Sequence, residues 1–237
     1  MRFRKIPRAF ADAIGQLGWR DGCLHVLSLA LGRVSGGCVR LHKYYFVAQP
    51  VAAKAWLPGR RGAAIEVRAI GPADPVIREF PRPPEVMPYR FGQGAVCFAA
   101  LKEGKCVGFL WTLLGPYRED EVRCRYVPLP EGEAAWDFDV YVAPEHRSGL
   151  VFMRLWDEAN RYLAARGVRW SLSRISAFNA ASLASHSRMG ASRIGSAVFF
   201  SIGALQISVS NVRPRFFVSR GGAAAIPSFF LEARALG

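Results

Sequence analysis

The residues with the clearest capacity for chemistry lie between Asp137 and Gly190, in DFDVYVAPEHRSGLVFMRLWDEANRYLAARGVRWSLSRISAFNAASLASHSRMG. Asp137 and Asp139 stand two apart in an aromatic and β-branched run. In an extended strand side chains alternate, so both carboxylates, with Tyr141, fall on one face and Phe138, Val140 and Val142 on the other. Crowding of two like charges raises one pKa, which suits a general base for an amine proton, and Asp139 is the preferred member. Beyond Pro144, Arg147-Ser148-Gly149 makes a turn. The helix that follows starts with unpaired backbone N–H groups, a cradle for a pyrophosphate such as that of coenzyme A. Asn179 opens a second helix as its cap, and His186 lies near the end of it.

VAPEHRSGL followed by a helix, and NAASLASHSRMG after the next strand, resemble the two signature regions of the GNAT acyltransferase superfamily. Val142, Pro144, Arg147 and Gly149 match the first, and Asn179, Met189 and Gly190 the second. The first differs at two points. A single residue, Ser148, separates Arg147 from Gly149 where the family has two, and Val151 occupies a position for a small residue. Together they predict a phosphate loop that is tight or partly blocked by a β-branched side chain. In the second region His186 stands where the family often has Tyr, and Ala191 where it has an aromatic residue.

The resemblance implies an α/β fold, GNAT-like, with a mixed, mostly antiparallel central sheet flanked by helices and an N-terminal helical and strand extension. It implies transfer of an acyl group from acetyl-CoA or another acyl-CoA, or from acyl carrier protein, to a small-molecule or protein amine by direct attack in a ternary complex. By the same resemblance Arg147, Ser148, Gly149, Leu150 and Val151 would hold the phosphates, and Asn179 the pantetheine arm. Backbone N–H groups of an interrupted strand carrying Val140 and Val142 would polarise the thioester carbonyl. His186 would take the place of the family's general acid, an imidazole that titrates near neutral pH. Two alternatives stay open: an aminoacyl-tRNA-dependent transferase on a related fold, and a non-catalytic, regulatory coenzyme A-binding module.

Composition bounds these readings. At 237 residues and 51% apolar, the chain can bury a full core. The net charge of +14 is uneven: residues 1–60 carry +8, residues 61–160 carry −3 and residues 161–237 carry +9. Basic ends attract polyanions, including phosphorylated cofactors, acidic carrier protein and anionic lipid, the last through the N-terminus. No nucleic-acid reading motif is present, so nucleic acid is not an expected partner. Five scattered cysteines and four histidines without ligand spacing predict core thiols and no metal. Asp12, Gln16, Arg20 and Asp21 interrupt the apolar stretch after the charged N-terminus, predicting retention in the cytoplasm.

Three segments are expected: a basic extension at 1–61, an acyltransferase core at 62–212 and a tail at 213–237. Gly15, Gly18 and Gly22 divide the helical pattern from Phe10 to Leu31 into two short helices. VRLHKYYFVAQP reads as a strand, and AVCFAALKEGKCVGFLWTLLG as a hairpin turning at Glu103-Gly104-Lys105. Pro81, Pro83, Pro84 and Pro88 exclude a long helix from 72–94, and by the resemblance to the GNAT family this region would shape the acceptor pocket. Trp136, Trp156 and Trp170 are expected in the core.

Overall fold

A computed structural model describes residues 5–147, 149–222 and 225–233, with residues 5–10 given by their backbone alone. Helix α1 (Lys5–Val34) kinks at Gly18, whose φ of 77° and ψ of 163° are not helical, so the two expected helices meet there. They pack closely: a Cβ on Gly22 would come within 2.9 Å of Ile14 Cα. The second helix lies over strand β1 (Val39–Pro50). Ser28 Oγ donates to Leu41 O at 2.8 Å, and Asp21 accepts from Lys43 Nζ at 2.6 Å and Tyr45 OH at 2.5 Å.

The strands that follow are β2 (Glu66–Ile70), β3 (Val96–Lys102), β4 (Lys105–Leu113), β5 (Tyr117–Arg118), β6 (Arg125–Leu129) and β7 (Ala134–Val142). After them come β8 (Trp170–Ser176), β9 (Ser192–Ile202), β10 (Leu205–Ser210), β11 (Phe216–Arg220) and β12 (Ser228–Glu232). Nine form one sheet in the order β11-β10-β9-β1-β8-β7-β4-β3-β2, and β12-β6-β5 form a second. The large sheet is antiparallel except between β7 and β8. This is the expected class, a mixed and mostly antiparallel sheet flanked by helices.

Two of the three expected segments do not stand apart. β1 pairs with both β8 and β9 in the middle of the large sheet, so a boundary at 61 would cut through it. The physical reason is its burial on both faces: Phe46, Val47, Ala48 and Gln49 are consecutive and buried, which an edge or a separate extension could not satisfy. At the other end, residues beyond 213 supply β11 and the parallel partner of β6, with Phe229 and Leu231 buried.

The β3–β4 hairpin turns where expected, with Glu103 and Gly104 both at positive φ (53° and 77°), as a two-residue primed turn requires. The Pro-rich stretch holds only a five-residue 3-10 turn, Pro75–Glu79, and the short α2 (Val86–Phe91). Cys97 and Cys124 are buried, as core thiols should be, whereas Cys23 and Cys38 are exposed.

Helices α1, α3 (Leu150–Ala164) and α4 (Ala180–Arg188) cover one face of the sheet; α2 and the small sheet cover the other. On α3, Val151, Leu155, Trp156, Ala159 and Leu163 recur at helical spacing and are buried, most of them against Phe98, Ala100, Val107 and Leu110. Across the sheet, Phe46, Trp111, Trp136 and Phe199 pack with Tyr117, Tyr126 and Phe229. Among the described residues no helix is long and apolar enough to cross a membrane.

One glycine sets how closely α3 approaches. A Cβ on Gly108 of β4 would lie 2.7 Å from Tyr141 O and 2.9 Å from Val151 Cγ1. Gly108→Ala is expected to lower stability by about 1–3 kcal/mol, the range for overpacking, read as a lower midpoint in urea. An unchanged midpoint would mean that α3 shifts at no cost.

Candidate active site

β7 and β8 run parallel and pair only from Ala134–Trp136 to Trp170–Leu172. Beyond that, β7 follows β4 and β8 follows β1, so the two strands part. The backbone groups of β7 from Phe138 onward that face the opening lose their ladder partners. Just there β7 carries a bulge. Trp111 pairs with Phe138 and Phe109 with Tyr141, leaving Leu110 opposite both Asp139 and Val140, and Asp139 has a φ of 48°.

The bulge corrects the expected pairing of acids. One extra residue resets the alternation, so Asp137 faces the helices while Phe138, Asp139 and Tyr141 share the opposite face. Val140 and Val142 pack toward α3. The two carboxylates are therefore separated by the sheet and do not crowd each other.

Asp139 is clamped. It accepts from Arg82 through Nε at 2.9 Å and through Nη2, and from Arg90 Nη1 at 2.5 Å. Arg90 also donates to Asp120 Oδ2 at 2.8 Å. Arg174, on β8, donates to Glu119 Oε1 at 3.0 Å and lies 2.8 Å from Glu121 Oε2, which accepts from Tyr44 OH at 2.6 Å. Burial raises the pKa of Glu119 even against Arg174. For Asp120 burial acts the same way, but the charge of Arg90 together with hydrogen bonds from Glu119, Arg90 and Tyr117 outweighs it, and the pKa falls. Arg82, Arg90, Phe138, Asp139, Arg174 and Glu119–Glu121 line a cleft of about 470 Å³ at the parting of the strands.

On the helical face Asp137 is 1% exposed and accepts from Ser171 Oγ at 2.7 Å. Burial pushes its pKa up to about 7, against the pull of that hydrogen bond. His186 is buried too, with Nδ1 3.2 Å from Gln49 Oε1 and its ring edge-on to Trp156 at 5.6 Å. Burial lowers its pKa to about 4, correcting the expectation of titration near neutrality. At pH 7 it is a neutral imidazole.

The turn before α3 has Arg147 exposed, its Nε donating to Val142 O at 3.2 Å. Ser148 lies outside the described residues. Gly149 caps α3 in the left-handed conformation (φ 94°) with no side-chain cap, and a Cβ there would meet nothing within 4 Å. Leu150 is half-buried. Val151 does not obstruct the loop as expected: its side chain points into the sheet, 2% exposed, because Gly108 leaves room for it. Asn179 caps α4 as expected, Oδ1 accepting from Ser182 N at 3.0 Å. Between the start of α3 and the end of α4 lies a cavity of about 490 Å³ lined by Trp56, Gly149, Phe152, Met153, Ser185, Arg188 and Met189.

Sequence reasoning missed Arg82, Arg90, Arg174 and Glu119–Glu121. The one available signal is the triplet of acids itself, in a chain with 32 basic residues and 18 acidic ones.

No family model matches the chain, and no curated protein matches it. Among solved structures it is similar to a conserved Staphylococcus epidermidis protein of unknown function, at 9% identity and a TM-score of 0.48, over 74% of this chain and 67% of that one. It is also similar to a GNAT-family protein from Novosphingobium aromaticivorans (17% identity, TM-score 0.47, 67% and 63% covered). A tandem GNAT protein from the clavulanic acid biosynthesis pathway is matched at 16% identity and a TM-score of 0.46, over 77% of this chain and 57% of that one. The chain thus spans less than two thirds of the length of the latter two.

Proposed function

We propose that the chain is an acyltransferase of the GNAT type, moving an acyl group from acyl-CoA to an amine. The observation that carries this reading is the parting of β7 and β8 with a cavity near it on each face, about 490 Å³ beside the start of α3 and about 470 Å³ under α2. Donor and acceptor would approach from opposite faces and meet at the opening.

The donor cavity fits a phosphorylated arm. Open space lies beside Gly149, where the first N–H groups of α3 begin; Arg188 lines the cavity, and Arg147 is exposed two positions before Gly149. Asn179 spends its carbonyl oxygen on the cap and keeps its NH₂ for the pantetheine amides. Backbone N–H groups on the free edge of β7 near Val140 and Val142 would polarise the thioester carbonyl. The bound donor supplies an activated acyl group. The amine nitrogen bonds to the acyl carbon, the C–S bond breaks, and the proton lost by the amine ends on the thiolate.

The side chains divide this work differently from the expectation. Asp139, held by two guanidinium groups, organises the acceptor cleft, whereas Glu121 is half-exposed in the same cleft and within reach of an amine. His186, neutral and buried on the donor face, can offer an N–H but no imidazolium proton.

Acetyl-CoA at a hundredfold excess over its Kd should stabilise the full chain by about 2.7 kcal/mol, seen as a thermal shift that tRNA does not reproduce. No shift with any acyl-CoA would sink the reading. With amines screened by thiol release, Asp139→Asn is expected to lower turnover by roughly tenfold or more while leaving donor binding intact. Donor binding without turnover on any amine would instead favour the non-catalytic module, a reading that the clamped Asp139 supports.

A further inference from the structure

The inner face of β10 and β11, at one end of the large sheet beside β9, is largely polar: Gln206, Ser208 and Ser219 are buried, and Gln206 exchanges hydrogen bonds with the backbone of Arg123 at 2.9 Å. β9 itself turns the buried Ala197 and Phe199 inward. The outer face of the three strands is apolar. The ladders place Ile202 beside Leu205, and Val209 beside Phe216, all pointing the way Val218 does. These residues are exposed, Phe216 by 63% and Val209 by 53%. Scattered exposed apolar residues need no explanation, but a contiguous face of them on three strands does. Helix α1 lies on this side of the sheet but over β1, and among the described residues no element covers the face.

Charge says what would cover it. From Met189 to Leu231 the chain has no Asp or Glu. Arg220 is the cross-strand neighbour of Leu205, Arg193 lies exposed over the ring of Tyr45 at 3.8 Å, and Arg213 and Arg215 are exposed in the β10–β11 turn. A twofold contact between copies would set these guanidinium groups against their own kind. An anionic surface with an apolar interior complements both features. Trp19, 66% exposed on α1 with Arg20 against its ring, adds a side chain suited to the interface between water and lipid.

We infer that the outer face of β9–β11 seats the protein on an anionic lipid surface, independently of the acyl-transfer reading. The full chain should cosediment with phosphatidylcholine vesicles that contain phosphatidylserine, and much less with phosphatidylcholine alone. Added salt should release it. The double variant Phe216→Ser/Val218→Ser should bind roughly tenfold more weakly with an unchanged thermal midpoint. Arg220→Gln, which leaves the apolar face intact, should weaken binding about fivefold. Binding that neither variant reduces would overturn the inference, as would no binding to either vesicle. So would a dimer in light scattering that Phe216→Ser converts to a monomer.

Discussion

Arg90→Met is expected to destabilise the fold by about 3–5 kcal/mol, the cost of leaving a buried carboxylate without its cation. Arg90 is 5% exposed and its guanidinium lies against the rings of Trp111 and Phe138 at 5.4 and 5.3 Å. It bonds two acids with unequal reserves. Asp139 keeps Arg82, whereas Asp120, whose side chain is 16% exposed, has Arg90 as the one guanidinium its carboxylate contacts among the described residues. Methionine replaces the stem and part of the ring contact, so the loss reports mainly on charge.

Two further measurements separate this from a packing effect. Adding Asp120→Asn to Arg90→Met should recover most of the loss, because the uncompensated charge is then gone. Raising salt should leave the Arg90 contribution nearly unchanged, since buried pairs are poorly screened. A loss below about 1 kcal/mol in urea denaturation would mean that the cleft is solvated like an exposed pair. Turnover should fall as well, because the clamp that orients Asp139 would have lost one of its two guanidinium groups.

What the sequence made legible was local. The turn at Glu103-Gly104, the break at Gly18 and the cap at Asn179 each depend on the conformational freedom or hydrogen-bonding reach of one residue, and each stands where it was read. What escaped was set by pairing between distant segments. The bulge at Asp139 exists because β7 spends one more residue than β4 between two ladder pairs, and neither strand carries that count alone. Aspartate tolerates positive φ better than most residues, which in retrospect was the only local trace. The central place of β1, and the parallel pairing of β12 with β6 across about a hundred residues, are likewise non-local. The orientation of Val151 is non-local for the same reason: it depends on Gly108, forty-three positions earlier.

The second large effect is a pH dependence with opposite slopes from two groups on the helical face. Asp137 has a folded pKa of about 7 against an ordinary 3.8. Raised in the fold, it favours folding fully at low pH, and that contribution disappears as pH climbs from about 4 to 7, a swing of about 4 kcal/mol. His186 has a folded pKa of about 4 against 6.5. Depressed in the fold, it supports stability above pH 6.5 and loses about 3 kcal/mol as pH falls toward 4. Between pH 4 and 6.5 the two slopes oppose each other, so the joint contribution of Asp137 and His186 is flat there and declines only toward pH 7. Asp137→Asn keeps an acceptor for Ser171 and removes the ionisation. Relative to the parent its stability should climb from pH 4 to 7, the slope of His186 being no longer opposed, and at pH 8 it should exceed the parent by up to about 4 kcal/mol. His186→Phe, placed among Phe152 and Trp156, should show the converse, a fall from pH 4 upward with no acid-side loss. Parallel profiles for parent and Asp137→Asn from pH 5 to 8 would show that Asp137 is ionised in the fold. The buried layer between β7 and α3 would then be wet enough to carry a charge.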